Sequence, residues 1–201
     1  MKFLSKRSFL LAFMGILAIS LVLAVVIARQ QQDIRQHAAG EIKTGYDAWD
    51  GTFDQGNNNL ITSTQITTAA TGGQLTSISV YIGQVHASPG NHMQVALYSD
   101  TNNAPGSLLG SSPSQALTAD SWNTLPLPNI TIAPLTKYWL AFNLDGSVTK
   151  FGWGTGTGNS AWRYSTTYDT WPSTFGSPSS TGTKPYAIYM TYTDTGGTNP
   201  T

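Results

Sequence analysis

Residues 75 to 85 read Leu-Thr-Ser-Ile-Ser-Val-Tyr-Ile-Gly-Gln-Val. Ile78, Val80 and Ile82 alternate with Ser77, Ser79 and Tyr81. Successive side chains of an extended strand point to opposite faces, so this rhythm predicts a strand with one apolar and one wet face. The same period returns at Met93, Val95 and Leu97, at Tyr138, Leu140, Phe142 and Leu144, and at Tyr186, Ile188, Met190 and Tyr192. Leu125 with Leu127 and Ile130 with Ile132 supply two shorter runs. Between them lie Ser88-Pro-Gly-Asn, Asp100-Thr-Asn-Asn-Ala-Pro-Gly and Leu144-Asp-Gly-Ser, stretches dense in residues that accept turn geometry. No run after Ala38 has helical periodicity. Short strands at this spacing, with no long internal repeat, predict an all-β, jelly-roll-like two-sheet sandwich over residues 60–193.

Ahead of that domain stands Phe9 to Ala28, twenty residues without a charge, bracketed by Lys6-Arg7 and Arg29. A helix of that length spans about 30 Å of hydrocarbon, which makes residues 1–37 a membrane anchor or a signal segment cleaved after Ala28. The uncleaved anchor is the preferred reading, because the run exceeds a signal core and contains no Ala-x-Ala. Both readings export the body. A pilin-like helix is a more distant alternative, since Ser8 and Phe13 stand where typical pilins carry Gly and Glu. Residues 38–59, rich in Gly, Asp and Asn, read as a linker or lead-in strand, with Tyr46, Trp49 and Phe53 docking on the body. Residues 194–201 read as a flexible tail.

The first 45 residues hold six of the ten Lys and Arg; from Tyr46 onward four basic residues face eight aspartates. Phosphate neutralisation needs a basic face, so nucleic acid is excluded as a partner. With no cysteine, neither disulfide nor thiolate chemistry is possible. Charged residues make up 10% of the chain, leaving a surface of hydroxyls and amides that suits an extracytoplasmic setting.

Gln94-Val-Ala-Leu-Tyr-Ser-Asp100, Ala104-Pro-Gly-Ser-Leu-Leu-Gly110, Ala119-Asp-Ser-Trp-Asn-Thr-Leu125 and Leu135-Thr-Lys-Tyr-Trp-Leu-Ala-Phe142, with Phe151-Gly-Trp-Gly154 behind them, carry a resemblance. Over about residues 60–193 the chain resembles the choice-of-anchor type domain of bacterial surface and secreted proteins. The resemblance implies a jelly-roll-like module displayed at the cell envelope and no particular activity. The chain shows no C-terminal sorting signal, which puts the expected anchorage at the N-terminus.

Catalysis finds little footing. Glycoside hydrolysis needs two carboxylates a few ångströms apart, whereas the body offers scattered aspartates and no Gly-x-Ser-x-Gly elbow. His86 and His92 flank the Ser88-Pro-Gly turn and read as polar loop residues before they read as metal ligands. Asp100 and Asp145 are the candidate ligands of a structural calcium ion, a hard cation that takes aspartate and backbone oxygens, although Asp also serves turns for geometric reasons alone. The most suggestive stretch runs from Trp153 to Phe175. Trp153, Trp162, Tyr164, Tyr168 and Trp171 there could stack on sugar rings while Arg163 bonds hydroxyls. The competing assignment makes Trp153, Trp162 and Tyr164 inward strand residues and Trp171-Pro172 a pin over a sheet edge. The expected function is a non-catalytic surface domain acting in adhesion or assembly, with polysaccharide or envelope proteins as partners. A carbohydrate-binding module is the first alternative and a filament subunit the distant one.

Overall fold

The computed structural model describes residues 40–56, 60–127, 129–164 and 166–194, the side chain of Tyr164 excepted. The expected helix over Phe9–Ala28, its cleavage point and the tail beyond Asp194 lie outside the described residues. Among the described residues no helix is long and apolar enough to cross a membrane.

The strands run, in chain order, β1 Glu41–Gly45, β2 Trp49–Gln55, β3 Leu60–Thr67, β4 Gly73–Gln84, β5 His92–Thr101, β6 Ala104–Ser111 and β7 Gln115–Ala116. They continue as β8 Ser121–Pro126, β9 Thr131–Ile132, β10 Lys137–Leu144, β11 Lys150–Gly154, β12 Ser160–Tyr164, β13 Ser180–Gly182 and β14 Ile188–Asp194. They form two antiparallel sheets. The first joins β1, β14, β4, β11 and β2, with β8 and β9 also on β4. The second runs β13-β12-β3-β10-β5-β6, with β7 on β5.

The period-two residues meet between the sheets. Ile78, Val80 and Ile82 of β4, with Ile188, Met190 and Tyr192 of β14, pack against Met93, Val95 and Leu97 of β5 and Tyr138, Leu140, Phe142 and Leu144 of β10 in one buried cluster. Burying such side chains contributes about 1.5–3 kcal/mol each, and a one-residue slip in any strand would turn its set outward. The result is the expected all-β sandwich. It begins earlier than residue 60, because the stretch read as linker or lead-in supplies β1 and β2 of the first sheet.

The second sheet departs from the expectation of one wet face. Its outer side buries Ile61, Ala96, Tyr98, Trp139, Ala141 and Ala161 under Phe175, with Trp171 packed alongside. The loop after β12 therefore acts as a roof. Arg163 fastens it, donating to the carbonyls of Thr174, at 2.9 Å, and Phe175. The Tyr98 hydroxyl donates to Pro172 O at 3.0 Å.

The Asp100 turn is a two-residue hairpin between β5 and β6. Thr101 pairs with Ala104, and Asn102 and Asn103 take φ of 54° and 62°. Positive φ at both central positions is what the tightest hairpins demand, and Asn tolerates it.

Candidate functional site

The outer face of the first sheet is different. It carries the Ser77, Ser79, Tyr81 side of β4, the side the alternation assigns to solvent, and it gathers rings from three other strands. Across the β2–β11 pair, Phe53 faces Gly152 and Trp49 faces Gly154. Four steps on β2 thus answer two on β11, and the surplus is a bulge at Asp50-Gly51-Thr52, where Gly51 takes φ of 91°. In a regular strand residues four apart stand about 13 Å apart. The bulge draws these two together, so that Trp49 and Phe53 stack with centroids 4.8 Å apart and planes 30° from parallel.

Hydrogen bonds hold the bulge in shape. Trp49 Nε1 donates to Thr52 O at 2.8 Å. Asp50 Oδ1 accepts from Thr52 N at 2.8 Å and from Thr52 Oγ1 at 2.6 Å. Lys184 Nζ lies 2.8 Å from Asp50 Oδ2. Desolvation works to raise the Asp50 pKa, but the hydrogen bonds from Lys184 and Thr52 and the lysine charge outweigh it and hold the carboxyl below its ordinary value.

Two glycines complete the arrangement. A Cβ at Gly83 would run into the Phe53 ring, and one at Gly152 would lie 2.7 Å from Trp49 Cδ1 and 3.2 Å from Tyr81 Cδ1. The rings rest on backbone that has no side chain. Tyr81 stacks on Trp49 at 4.8 Å and 19°, and lies 11° from parallel with Phe53. Trp122 of β8 meets Tyr81 edge-on at 5.5 Å, and Tyr189 of β14 lies 4.9 Å from Trp122. Lys43 Nζ sits 4.5 Å from the centre of the Tyr189 ring. Beside Tyr189 opens a hollow of about 330 Å³, lined also by Glu41, Lys43, Ser77, Ser79, Thr124 and Thr191. Trp49 and Phe53 are 36% and 37% exposed, and among the described residues they are the only rings counted with the exposed large hydrophobics.

The aromatic residues singled out between Trp153 and Phe175 are not brought together on one surface. Trp153 stacks on the buried Tyr186 at 4.2 Å, and Trp162 Nε1 donates to the Tyr186 hydroxyl at 2.6 Å. That hydroxyl in turn donates to Asp54 Oδ2 at 2.7 Å. Trp171 lies 6.3 Å from Tyr98 in the roof. The Tyr168 hydroxyl is 2.6 Å from Ser114 Oγ, and burial first, with Asp145 and Asp169 adding to it, raises its pKa. Arg163 is engaged by the roof carbonyls described above. Tyr164 occupies the end of β12, paired with Leu60. Four of these rings thus divide between the edge of the inter-sheet core and the roof.

Asp100 accepts from three donors: Gln65 Nε2 at 2.5 Å and Trp139 Nε1 at 2.8 Å on Oδ2, and Asn103 N at 3.1 Å on Oδ1. It acts as a structural acceptor tying the hairpin to β3 and β10. Asp145 Oδ1 accepts from His92 N at 2.6 Å, and its Oδ2 lies 3.2 Å from His92 Nδ1. His86 Nδ1 faces Ala87 O at 2.6 Å, so the two histidines do not share a partner. Among the described residues no three His, Cys, Asp or Glu side chains form a group that could hold a metal ion.

The sequence offers Trp49 and Phe53 as docking residues, but alternation alone does not show that they gather with Tyr81 on the outer face of the first sheet. The available signal was Trp-Asp-Gly-Thr-Phe, a bulge-forming Asp-Gly between two rings, together with the outward Tyr81. No protein-family model matches the chain, and no curated protein matches it either.

Proposed function

We propose that this protein is a non-catalytic surface domain of jelly-roll type that binds polysaccharide through the outer face of its first sheet, and thereby serves adhesion at the cell envelope. The observation that carries the reading is the solvent-exposed stack of Trp49, Phe53 and Tyr81. Trp49 and Phe53 keep more than a third of their surface open to water, apolar surface of the kind that the CH groups of a sugar cover. The hydroxyls of Ser77 and Thr124, in the hollow beside Tyr189 on the same face, supply oriented polar groups of the kind a sugar site needs. A contiguous exposed apolar patch rimmed by polar residues is a common mark of a binding surface.

Successive strands switch repeatedly between the two sheets, as at β2 to β3, β3 to β4 and β4 to β5, which supports the jelly-roll assignment. The likeness to choice-of-anchor type domains accords with it. In this reading Phe9–Ala28 tethers the domain to the membrane and the body is extracytoplasmic.

Affinity electrophoresis of the full chain through gels containing neutral polysaccharides tests the proposal. Retardation of the wild type is expected to be lost in Trp49→Ala and Phe53→Ala and kept in Trp171→Phe. Wild-type mobility unchanged across the panel, or Trp49→Ala retarded as strongly as wild type, would overturn it.

Assembly into a layer is the second reading. It is favoured by β1, which among the described strands pairs with β14 alone and so leaves one edge for another chain. A monomer at millimolar concentration in sedimentation would remove it.

A further inference from the structure

The outer face of the second sheet has a second polar centre, at the end where β5 begins and β10 finishes. Gln94 and Asn143 are direct partners in the β5–β10 register. They are 4% and 2% exposed. Gln94 Oε1, Asn143 Oδ1 and Asn91 Oδ1 are all buried amide oxygens without a hydrogen-bond donor. Such groups ordinarily have partners, and Gln94 and Asn143, two acceptors from facing positions, leave a local surplus of lone pairs.

Two carboxylates adjoin them. Gln94 Nε2 donates to Asp169 Oδ1 at 2.6 Å, so the amide lies against that aspartate through its nitrogen. Asn143 Nδ2 donates to Leu60 O at 3.2 Å, toward β3, which leaves its Oδ1 on the β5 side. Asp145 N bonds His92 O at 3.2 Å. Asp145 therefore continues the β10 register two residues past Asn143 and on the same face, about 7 Å along the strand. The charges of both aspartates reach Tyr168. Neither is in an ion pair with Lys or Arg among the described residues; His92 is the one basic side chain beside Asp145.

We infer that Asp169, Asp145, Gln94 Oε1 and Asn143 Oδ1 hold one calcium ion, with the remaining positions filled by water or backbone oxygens. Calcium takes six to eight oxygen ligands in flexible geometry and accepts carboxylate and amide oxygens alike. Gln94 reaches the ion by turning its amide over, which exchanges Nε2 for Oε1 against Asp169. The contacts of Asp145 with His92 do not compete, because each carboxylate oxygen accepts more than one partner. An ordered water could satisfy an amide oxygen, but it would leave the Asp169 carboxylate without a cation beside it. The ion would pin the roof loop carrying Asp169 to the sheet beneath it.

Thermal unfolding of the full chain is to be followed in chelator, in calcium and in magnesium, with equilibrium dialysis against radioactive calcium. The midpoint is expected to rise with calcium alone, one ion is expected per chain, and half-saturation is expected at about 0.1–1 mM, the range of extracellular calcium modules. Asp169→Asn should weaken binding at least tenfold in dialysis, whereas Asp100→Asn should leave it unchanged. No calcium-dependent rise and no bound ion in the wild type would overturn the inference and assign the amide oxygens to water. Binding that survives Asp169→Asn would overturn the placement.

Discussion

Trp49 of β2 stacks on Tyr81 of β4 with ring centroids 4.8 Å apart, although β11 lies between their strands. The contact crosses the intervening strand because that strand offers Gly152 at the crossing, where a Cβ would crowd both rings. An exposed aromatic surface here depends as much on absent side chains as on present ones.

The first prediction concerns the other glycine. A Cβ at Gly83 would meet the Phe53 ring, the far end of a half-exposed side chain that can swing away. Gly83→Ala should therefore leave stability within about 1 kcal/mol of wild type, as surface changes usually do. Affinity for polysaccharide should fall about tenfold, equivalent to about 1.4 kcal/mol. Urea unfolding and affinity electrophoresis on the same variant check the two halves.

The second concerns Asp100. Trp139 is 1% exposed, and its indole N–H donates to Asp100 Oδ2. Asp100→Ala strands that donor in the interior, at a cost of about 1–3 kcal/mol. Asp100→Asn keeps one acceptor oxygen and should recover part of the loss in urea unfolding.

The third concerns the roof. Phe175 is fully buried and meets Tyr98 edge-on at 5.4 Å. Phe175→Ala should destabilise by about 3–5 kcal/mol, the usual cost of emptying a buried phenylalanine site. Polysaccharide affinity, measured well below the lowered melting point, should not change, because the ring platform is on the other sheet.

The fourth is a pH dependence. Burial, only partly offset by the Arg163 charge, raises the Tyr98 pKa far above its ordinary value near 10. The folded state thus favours the neutral phenol. Its contribution is fully present below about pH 10, where the unfolded chain is also neutral, and is lost as pH rises further and the unfolded tyrosine ionises first. Stability should fall above about pH 10 by up to about 1.4 kcal/mol per pH unit from this group, and Tyr98→Phe should flatten that decline in denaturant titrations from pH 9 to 12.

The inter-sheet core was legible because period two is a local property. Ile78, Val80 and Ile82, and likewise Tyr138 through Leu144, lie where the alternation puts them. Strand β3 was not legible, although it lies at the middle of the second sheet. It reads Leu-Ile-Thr-Ser-Thr-Gln-Ile-Thr, and its polar residues are nonetheless buried because neighbours answer their hydroxyls: Ser63 Oγ donates to Ala161 O at 2.8 Å, and Thr64 Oγ1 accepts from Tyr186 N at 3.1 Å. Thr is β-branched and suits a strand, but a hydroxyl tells nothing of its burial until its partner is known.

By itself, then, the sequence determined that the body is β throughout, which residues of its clearest strands face the core, and that aspartates outnumber basic residues from Tyr46 onward. Only the tertiary structure decided which aromatic rings meet solvent. The reason is that alternation assigns a side chain to one face of its own strand, whereas exposure depends on what the rest of the chain lays over that face. The segment from Thr166 to Ser179 roofs the second sheet and withdraws Trp171 and Phe175 from water, while the first sheet keeps its outer side open and a bulge three residues long sets Trp49 and Phe53 upon it.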